Sequence, residues 1–457
     1  MSYLIFFVGG YITSLGFAPL NLWFAPIAGL GIWYTLLMRY SVAKNIFGSY
    51  LFGLGVLLPN QIWTGIYVGN TPWLILCGFQ ALFFLLPAWL ISKKRRFNTL
   101  IFPLSLVVVE LLLRTTPFTG FGWSRYGFTQ NESPLRSLFP LGGVVLVTFA
   151  LAYVATIRRF KPFIFVSLLL GITHLIPSQV IKTASTDIFL VQGGVRNLGL
   201  DFNATPRQVF NDHLSVTKKI LSQSNLIIWP ENSVDIDLFK NTDIKNLILD
   251  QSKRLRTPIL VGGVTQSDQG LRNQTFLFNP DITQIYTKRY LTPFGEYLPL
   301  RKISEKFSPY AQEITDFKAG QKDQIFLIPN TSFQTLICYE LLNDRFTDSI
   351  KSDFLVVQSN NATFGDTAQL EQQLNIARVR AQETGRSIAY VSTTGVTSFI
   401  SNSGKIEKQL PKFKPDSLFS SIDLVEGITI TQRFGKFLEP LAIMALLILK
   451  YRRFAIH

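Results

Sequence analysis

Histidine, cysteine and acidic residues are scarce in this sequence of 457 residues. It contains three histidines and two cysteines, and its 29 Asp and Glu are outnumbered by 44 Lys and Arg. The two cysteines, Cys77 and Cys338, lie far apart in the chain, which excludes a small fold held together by several disulfides. So few histidines and cysteines also leave too few ligands for a zinc cluster.

The net charge of +15 is distributed unevenly along the chain. Residues 184–432 contain 26 basic and 26 acidic residues, whereas the flanking segments contain 18 basic and 3 acidic residues. A basic excess that is confined to the ends of apolar segments is typical of membrane topology. The charge therefore does not indicate a nucleic-acid partner.

Eight apolar runs lie in these flanking segments. They cover residues 3–17, 22–38, 46–67, 73–91, 99–113, 141–157, 163–177 and 435–450. Several approach the roughly 20 residues that cross a bilayer, although the first, fifth and seventh are shorter. A buried core helix is the alternative for any single run, but eight runs in one chain favour membrane spans. The first run lacks the basic segment and cleavage site of a signal peptide, so we expect it to be retained.

The basic residues beside these runs predict an orientation. If the N-terminus is cytoplasmic, twelve basic residues lie inside: Arg39, Lys44, Lys93, Lys94, Arg95, Arg96, Arg158, Arg159, Lys161, Lys450, Arg452 and Arg453. Three lie outside: Arg114, Arg125 and Arg136. This positive-inside bias predicts seven transmembrane helices in residues 1–183, an outward-facing domain at 184–432, and a final span with a cytoplasmic tail at 433–457.

The 184–432 segment alternates between short apolar strands and helical patterns. Strands are predicted at residues 186–195, 225–231, 258–265, 273–280, 324–330, 333–340, 354–361 and 387–401, and helices at 206–223, 241–255 and 367–385. Alternation of this kind predicts layers of helices and sheets.

Three strand-end motifs contain polar side chains. "IIWPENS" contains Glu231, "YTKRYLTPFGEYLPL" contains Lys288 and Glu296, and "LICYELL" contains Cys338 and Glu340. Loops at the ends of strands commonly carry catalytic residues. The only histidine of this segment, His213, falls inside a helical pattern, so a thiol nucleophile would need another base unless it uses His213. Glu340 is only two residues from Cys338 in sequence, which first suggests Glu340 as the base for this thiol.

A carboxylate and a lysine could together activate a thiol. A desolvated carboxylate has a raised pKa and can accept the thiol proton. A nearby ammonium favours the thiolate and can stabilise an oxyanion. Taken singly, each residue has a simpler explanation: Cys338 as a small core residue, Glu231 as a charge at a helix N-terminus, and Lys288 as an exposed cation.

The order of these residues and the strings around them resemble a known superfamily. "WPEN", "KRYLTPFGEYLP", "CYE", "NNATFGD" and "ARVRAQETGRS" are similar to motifs of the nitrilase, or carbon-nitrogen hydrolase, superfamily. With the apolar runs and the loop "FTGFGWSRYGFTQNESPL" at 118–135, the whole chain resembles the apolipoprotein N-acyltransferase family. The resemblance implies an α+β membrane protein with eight transmembrane helices and an extracytoplasmic, nitrilase-like α-β-β-α sandwich domain.

The resemblance also implies a role for each candidate. Glu231 would be the general base, Lys288 the oxyanion stabiliser and Cys338 the nucleophile. Glu296 would orient the lysine, the Tyr339 backbone N–H would be a second oxyanion donor, and Glu340 would be a supporting residue. The implied reaction is a ping-pong transfer, through a cysteine thioester, from a membrane phospholipid to the N-terminal amine of a diacylglyceryl-cysteine apolipoprotein. No metal or soluble cofactor is implied, and the implied location is the bacterial cytoplasmic (inner) membrane, with the domain on its periplasmic side.

Three positions depart from the family pattern. Thr363 stands where an aromatic residue is common, the helix at 367–385 lacks a Trp and a His, and Phe202 is the nearest aromatic after "VQGGV". These departures bear on acyl-chain and acceptor preference. Two alternatives stay open at this point: a membrane-anchored nitrilase-type amidase that hydrolyses a C–N bond, and an inactive lipid-binding scaffold.

Overall fold

The chain folds into two compact units in a computed structural model that describes residues 1–91, 97–307, 312 and 315–451. The first unit comprises Met1–Gln179 and Thr429–His457, and the second comprises Val180–Ile428.

The first unit is helical. Its helices are α1 Ser2–Ser14, α2 Ala25–Arg39, α3 Val42–Gln61, α4 Asn70–Ala81, α5 Leu85–Leu90, α6 Asn98–Thr115, α7 Phe139–Thr156, α8 Phe160–Thr173, α14 Ile430–Phe434 and α15 Leu438–Tyr451. Each of the eight apolar runs coincides with at least one of them.

Four helical stretches among the described residues are long and apolar enough to cross a membrane. They are Val42–Gly65, Asn70–Leu90, Asn98–Thr115 and Pro134–Thr156. The helices at the other runs are shorter, so the count of eight spans stays a prediction. Half of the predicted inside cations, Lys93, Lys94, Arg95, Arg96, Arg452 and Arg453, lie outside the described residues.

Glycines let α1 and α3 pack closely. A Cβ at Gly10 would lie 2.1 Å from the carbonyl oxygen of Phe52, and one at Gly55 would lie 2.3 Å from that of Phe7. Small residues at such contacts let helix backbones approach in an apolar environment. Beside this contact the Trp33 ring stacks on the Phe52 ring, with 4.2 Å between centroids.

A buried carboxylate fastens the loop 118–135 to two helices. Glu110 of α6 accepts hydrogen bonds from the Tyr126 backbone N–H at 2.6 Å and from the Thr148 hydroxyl of α7 at 2.9 Å. The buried guanidinium of Arg125 lies 3.4 Å from the same carboxylate. Because a buried charge is tolerated where it is paired and hydrogen-bonded, this network can hold the loop in place.

The second unit is built on two mixed sheets. Its strands are β1 Val180–Gln192, β2 Leu226–Ile228, β3 Ile259–Ser267, β4 Gly270–Phe278, β5 Ile282–Thr287, β6 Ile325–Ile328, β7 Thr331–Ile337, β8 Phe354–Ser359, β9 Ile388–Ser392, β10 Ser398–Ile400, β11 Ile406–Gln409 and β12 Asp416–Gly427. The first sheet has the order β12-β1-β2-β3-β4-β5 and the second β11-β10-β9-β8-β7-β6. In each sheet three neighbouring strands are parallel, β1-β2-β3 and β7-β8-β9.

Helices cover the outer faces of the two sheets. The described helices of this unit are α9 Gln208–Lys218, α10 Thr242–Leu255, α11 Arg301–Phe307, α12 Asp344–Ser349 and α13 Gln369–Thr384, of which α9, α10 and α13 pack on the sheets. On the first sheet α9 and α10 bury apolar side chains such as Phe210 and Ile248 against Trp229, while α13 packs on the second sheet. The sheets face each other, with β1 against β9 and β12 against β8. The layers therefore follow the order helix, sheet, sheet, helix.

A hydrogen-bonded glutamine joins the two sheets at their centre. Gln358 of β8 accepts from the Thr275 hydroxyl of β4 at 2.7 Å and donates to the Trp229 carbonyl, just after β2, at 2.7 Å. The ends of β2 and β8 therefore lie side by side, although they belong to different sheets.

The prediction differs from the structure at the polar edge strands of the sheets and at the start of the second unit. Strands β5, β11 and β12 are absent from the prediction, and the second unit begins at Val180 and not at residue 184. The first half of β1 is largely exposed and has no apolar period, but β12 pairs with it from Val180 opposite Gly427 onward. Backbone pairing with a distant strand creates these elements, and a local apolar pattern cannot reveal it.

Candidate active site

Strand ends bring the predicted catalytic residues together. Lys288 directly follows β5, Cys338 directly follows β7, and Glu231 lies shortly after β2. The Lys288 Nζ lies 3.3 Å from Glu231 Oε1, and its charge interacts with the Cys338 thiol. Three segments that are far apart in sequence thus form one cluster.

Lys288 lies between two buried carboxylates. Its Nζ is 2.9 Å from Glu296 Oε2 and 3.3 Å from Glu231 Oε1, and only 1% of the lysine is exposed. Burial alone would lower the pKa of Lys288, but the charges of Glu296 and Glu231 outweigh it, so the pKa is raised. The lysine therefore stays a cation, which is what an oxyanion stabiliser requires.

Asn273 of β4 bridges these carboxylates, and the sequence did not single it out. Its Nδ2 donates to Glu231 Oε1 and to Glu296 Oε1, both at 2.8 Å. Glu231 also accepts the Asn360 backbone N–H at 2.9 Å, and Glu296 accepts that of Thr292 at 2.8 Å. Burial raises the pKa of Glu296, but Lys288 and Asn273 lower it by more, so this carboxylate stays ionised.

Cys338 begins a short helical turn in a strained conformation. It is the first residue of the 3-10 turn Cys338–Leu342, and its φ is +50°, in the left-handed region that non-glycine residues rarely adopt. Strained backbone of this kind concentrates at functional sites. The residue as a whole is partly exposed, at a sharp turn from a strand into a helical turn.

The Cys338 thiol is protonated at neutral pH. Burial and the charge of Glu231 raise the pKa of this thiol to about 12, while Lys288 and hydrogen bonds from Ser359 and Gln373 act in the opposite direction. To act as a nucleophile, this thiol would have to lose its proton as it attacks. Glu231, whose carboxylate lies beside the Lys288 Nζ, is the candidate to take that proton.

Glu340 is engaged in hydrogen bonds and does not face the thiol as a free base. Its Oε1 accepts from the Tyr286 hydroxyl at 2.7 Å and from the Arg289 backbone N–H at 2.8 Å, and its Oε2 accepts from the Ile337 backbone N–H at 2.8 Å. Burial raises the pKa of Glu340. Between Glu340 and Cys338, Tyr339 lies buried in the same turn, and the role of its N–H stays a prediction.

The structure adds Gln373 of α13 to the site. Its Nε2 donates to the Cys338 sulfur at 3.4 Å. The helix was expected, but its polar residues resemble a solvated face in the sequence, whereas they are almost all buried. The spacing of Gln369 and Gln373, four residues apart on one helix face, is the signal that could have pointed to them.

His213 lies outside this cluster. It is fully buried in α9 beside Trp229, with 5.7 Å between the ring centroids. Thr363 lies in the short 3-10 helix Ala362–Phe364, and Phe202 in the loop that precedes α9. Among the described residues, no group of three or more His, Cys, Asp and Glu is arranged to hold a metal ion.

Two family models match the chain, one in each unit. Residues 9–157 match the apolipoprotein N-acyltransferase N-terminal domain, and residues 203–430 match the carbon-nitrogen hydrolase family. Among solved structures, a CN-hydrolase superfamily protein from Xanthomonas campestris aligns with a TM-score of 0.40 and 18% identity, over 57% of this chain and 97% of that one.

Two curated relatives are similar over nearly the whole chain. The apolipoprotein N-acyltransferase of Wigglesworthia glossinidia brevipalpis is 28% identical, over 93% of both chains. That of Mycolicibacterium smegmatis is 30% identical, over 96% of this chain and 82% of its own length. With matches of this length in both units, the chain belongs to the apolipoprotein N-acyltransferase family.

Proposed function

We propose that this protein moves an acyl chain from a membrane phospholipid to the N-terminal amine of diacylglyceryl-cysteine apolipoproteins, the last step of lipoprotein maturation. The observation that carries the proposal is the cluster of Glu231, Lys288 and the partly exposed Cys338 in a chain of this family. The intermediate is a thioester on Cys338.

In the first half-reaction the Cys338 sulfur attacks the sn-1 ester carbonyl of the phospholipid. Glu231 takes the thiol proton, and the carbonyl oxygen becomes an oxyanion that Lys288 and the Tyr339 N–H stabilise. The ester C–O bond then breaks, the leaving lysophospholipid oxygen receives the proton, and the acyl chain stays on sulfur. Removing one donor from an oxyanion site typically costs about 3–4 kcal/mol in the barrier.

In the second half-reaction the apolipoprotein amine attacks the thioester carbonyl. Glu231 takes a proton from the amine, the same donors stabilise the oxyanion, and the C–S bond breaks. The sulfur is released as a thiolate, which recovers its proton from Glu231. The product is an amide, and the enzyme returns to its starting state.

The remaining predicted residues hold this machinery in place. Glu296 orients Lys288 through the 2.9 Å ion pair and thereby keeps the Nζ between both carboxylates. Glu340 supports the turn on which Cys338 and Tyr339 lie, through its bond to the Ile337 N–H. Catalytic groups held by packed partners lose little freedom when the substrate binds.

Both proposed substrates carry fatty acyl chains, which accounts for the apolar helices. We propose eight spans in the bacterial inner membrane, with residues 1–183 and 433–457 embedded and the catalytic domain, 184–432, on the periplasmic side. Donor and acceptor would then reach the enzyme by lateral diffusion. An apolar pocket that excludes water would protect the thioester from hydrolysis.

Mass spectrometry of the purified full-length protein tests this function. In phospholipid mixed micelles, we expect an acyl adduct on Cys338, which Cys77→Ala keeps and Cys338→Ala loses. A diacylated lipopeptide with a free N-terminal amine should discharge the adduct and yield an amide. Absence of an adduct on Cys338 would refute the thioester route.

The same assay separates the two alternatives. A membrane-anchored amidase would release free fatty acid or a C–N hydrolysis product without forming the amide. An inactive scaffold would give neither product. The amidase alternative has less support, because the relatives matched over nearly the full chain are named as N-acyltransferases.

A further inference from the structure

The amide of Gln373 touches the sulfur that forms the thioester. Its Nε2 lies 3.4 Å from the Cys338 Sγ, and only 1% of the glutamine is exposed. An amide has a donor end and an acceptor end of similar size, so its orientation decides whether the sulfur meets an N–H or an oxygen. The neighbouring hydrogen bonds determine that orientation.

A relay that begins at a backbone N–H runs to the Gln373 amide and agrees with this amide orientation. The Gly395 N–H, which can only donate, binds the Ser392 hydroxyl oxygen at 2.9 Å. That hydroxyl donates to Asn361 Oδ1 at 2.6 Å, so the amide nitrogen of Asn361 faces the other way. It donates to Gln373 Oε1 at 2.7 Å. The donor end of Gln373 is therefore turned toward Cys338.

Further donors converge on the same oxygen. Gln373 Oε1 also lies 3.1 Å from Gln369 Nε2 and 3.1 Å from the Tyr390 hydroxyl oxygen. Turning the amide over would place its NH₂ group against these donors and leave buried polar groups unsatisfied. The N–H is thus fixed toward the sulfur before any substrate binds.

We propose that Gln373 is a further catalytic residue, whose side-chain N–H stabilises the Cys338 thiolate. A hydrogen bond to a charged acceptor is stronger than one to a neutral acceptor, so the N–H favours S⁻ over both the thiol and the thioester sulfur. Under the proposed function, this donor would assist the thiolate that leaves when the amine displaces it, because that is where negative charge develops on sulfur. The Lys288 ammonium and the Gln373 amide would then act on different atoms, the oxyanion and the sulfur.

Alkylation of the thiol by iodoacetamide tests this role without any lipid substrate. In the full-length protein carrying Cys77→Ala, Cys338 is the only thiol. Below the thiol pKa, the rate of alkylation is proportional to the thiolate fraction. We expect Gln373→Met and Gln373→Glu each to lower the rate at pH 8 by about threefold or more, because raising the pKa by roughly one unit lowers the thiolate fraction about tenfold and raises the nucleophilicity of the thiolate about threefold.

Two control variants make the result decisive. Gln382→Met, the same change on the same helix away from the thiol, should leave the rate unchanged. Ser392→Ala breaks the relay without touching the sulfur and should lower the rate by a smaller factor. If both Gln373 variants fold and alkylate at the parent rate, or if they do not fold and Ser392→Ala alkylates at the parent rate, the proposal is wrong. Because no acyl transfer is measured, failure of the acyltransferase function would leave this result unaffected.

Discussion

The carboxylate of Glu340 accepts the backbone N–H of Arg289 at 2.8 Å. The segment after Cys338 is thereby joined to the segment after Lys288, although these follow strands of different sheets. The same carboxylate binds the Tyr286 hydroxyl of β5 and the Ile337 N–H of β7. Glu340 therefore helps to set the position of Lys288 relative to Cys338.

Glu340→Gln is expected to lower both stability and activity. The substitution keeps the shape but turns an NH₂ group toward N–H donors that Glu340 now satisfies, and unsatisfied buried groups cost about 1–3 kcal/mol each. We expect a lower thermal unfolding midpoint and slower acylation of Cys338, measured by differential scanning fluorimetry and by single-turnover mass spectrometry. An unchanged acylation rate in a folded variant would show that the hydrogen bonds of Glu340 are not needed for the reaction.

Lys288→Met is expected to lower the acylation rate by about 10²–10³-fold, the effect of losing one oxyanion donor. It also leaves Glu231 and Glu296 buried without their cation, and breaking a buried pair costs about 3–5 kcal/mol. Lys302→Met, at an exposed position, is the matched control. Single-turnover acylation and the unfolding midpoint should both fall in the first variant and stay at the parent values in the control.

Asn273→Asp is expected to disrupt the site although no reacting atom is changed. The new carboxylate would replace a donor that lies 2.8 Å from Glu231 and 2.8 Å from Glu296, so attraction becomes repulsion between buried like charges. We expect loss of acylation together with a lower unfolding midpoint. Asn330→Asp, the same change on an exposed hairpin, should alter neither quantity. Acylation at the parent rate in Asn273→Asp would contradict the bridging role.

His213 is expected to make the domain sensitive to acid. Its Nδ1 donates to the Val209 carbonyl at 2.7 Å, its Nε2 has no partner among the described residues, and burial lowers the pKa of the imidazole to about 4. The unfolded chain takes up this proton below about pH 6.5, whereas the folded chain does so only near pH 4. The contribution of His213 to the free energy of unfolding is therefore fully present above pH 6.5. It is lost as the pH falls toward 4, by up to about 3 kcal/mol.

His213→Gln tests this pH dependence, because glutamine keeps an N–H donor and does not titrate. The unfolding midpoints of the full-length parent and variant should be compared at pH 7.5 and 4.5. The unfolding midpoint should fall further on acidification in the parent than in the variant. Equal falls would mean that His213 does not contribute to the acid sensitivity.

The sequence by itself located the candidates Glu231 and Cys338 at the ends of apolar strands, because strand patterns are local. Lys288 follows β5, which no apolar pattern predicted, so it was located by the resemblance of the string around it to a family motif. The sequence also placed the apolar runs, all of which coincide with helices. It could not locate β12, whose pairing partner β1 is more than two hundred residues away in the chain. The sequence did not reveal the order of the strands within the two sheets either.

Only the tertiary structure decided which polar groups serve the site. Glu340 is two residues from Cys338, yet its carboxylate is turned to the backbone beside Lys288. Asn273 and Gln373 are far from their partners in sequence, and they reach Glu231 and Cys338 because β4 pairs within the first sheet and α13 packs on the second. Residue type and local period determine which segments are strands and helices. The directions of buried hydrogen bonds depend on groups that meet only after the sheets and helices have packed.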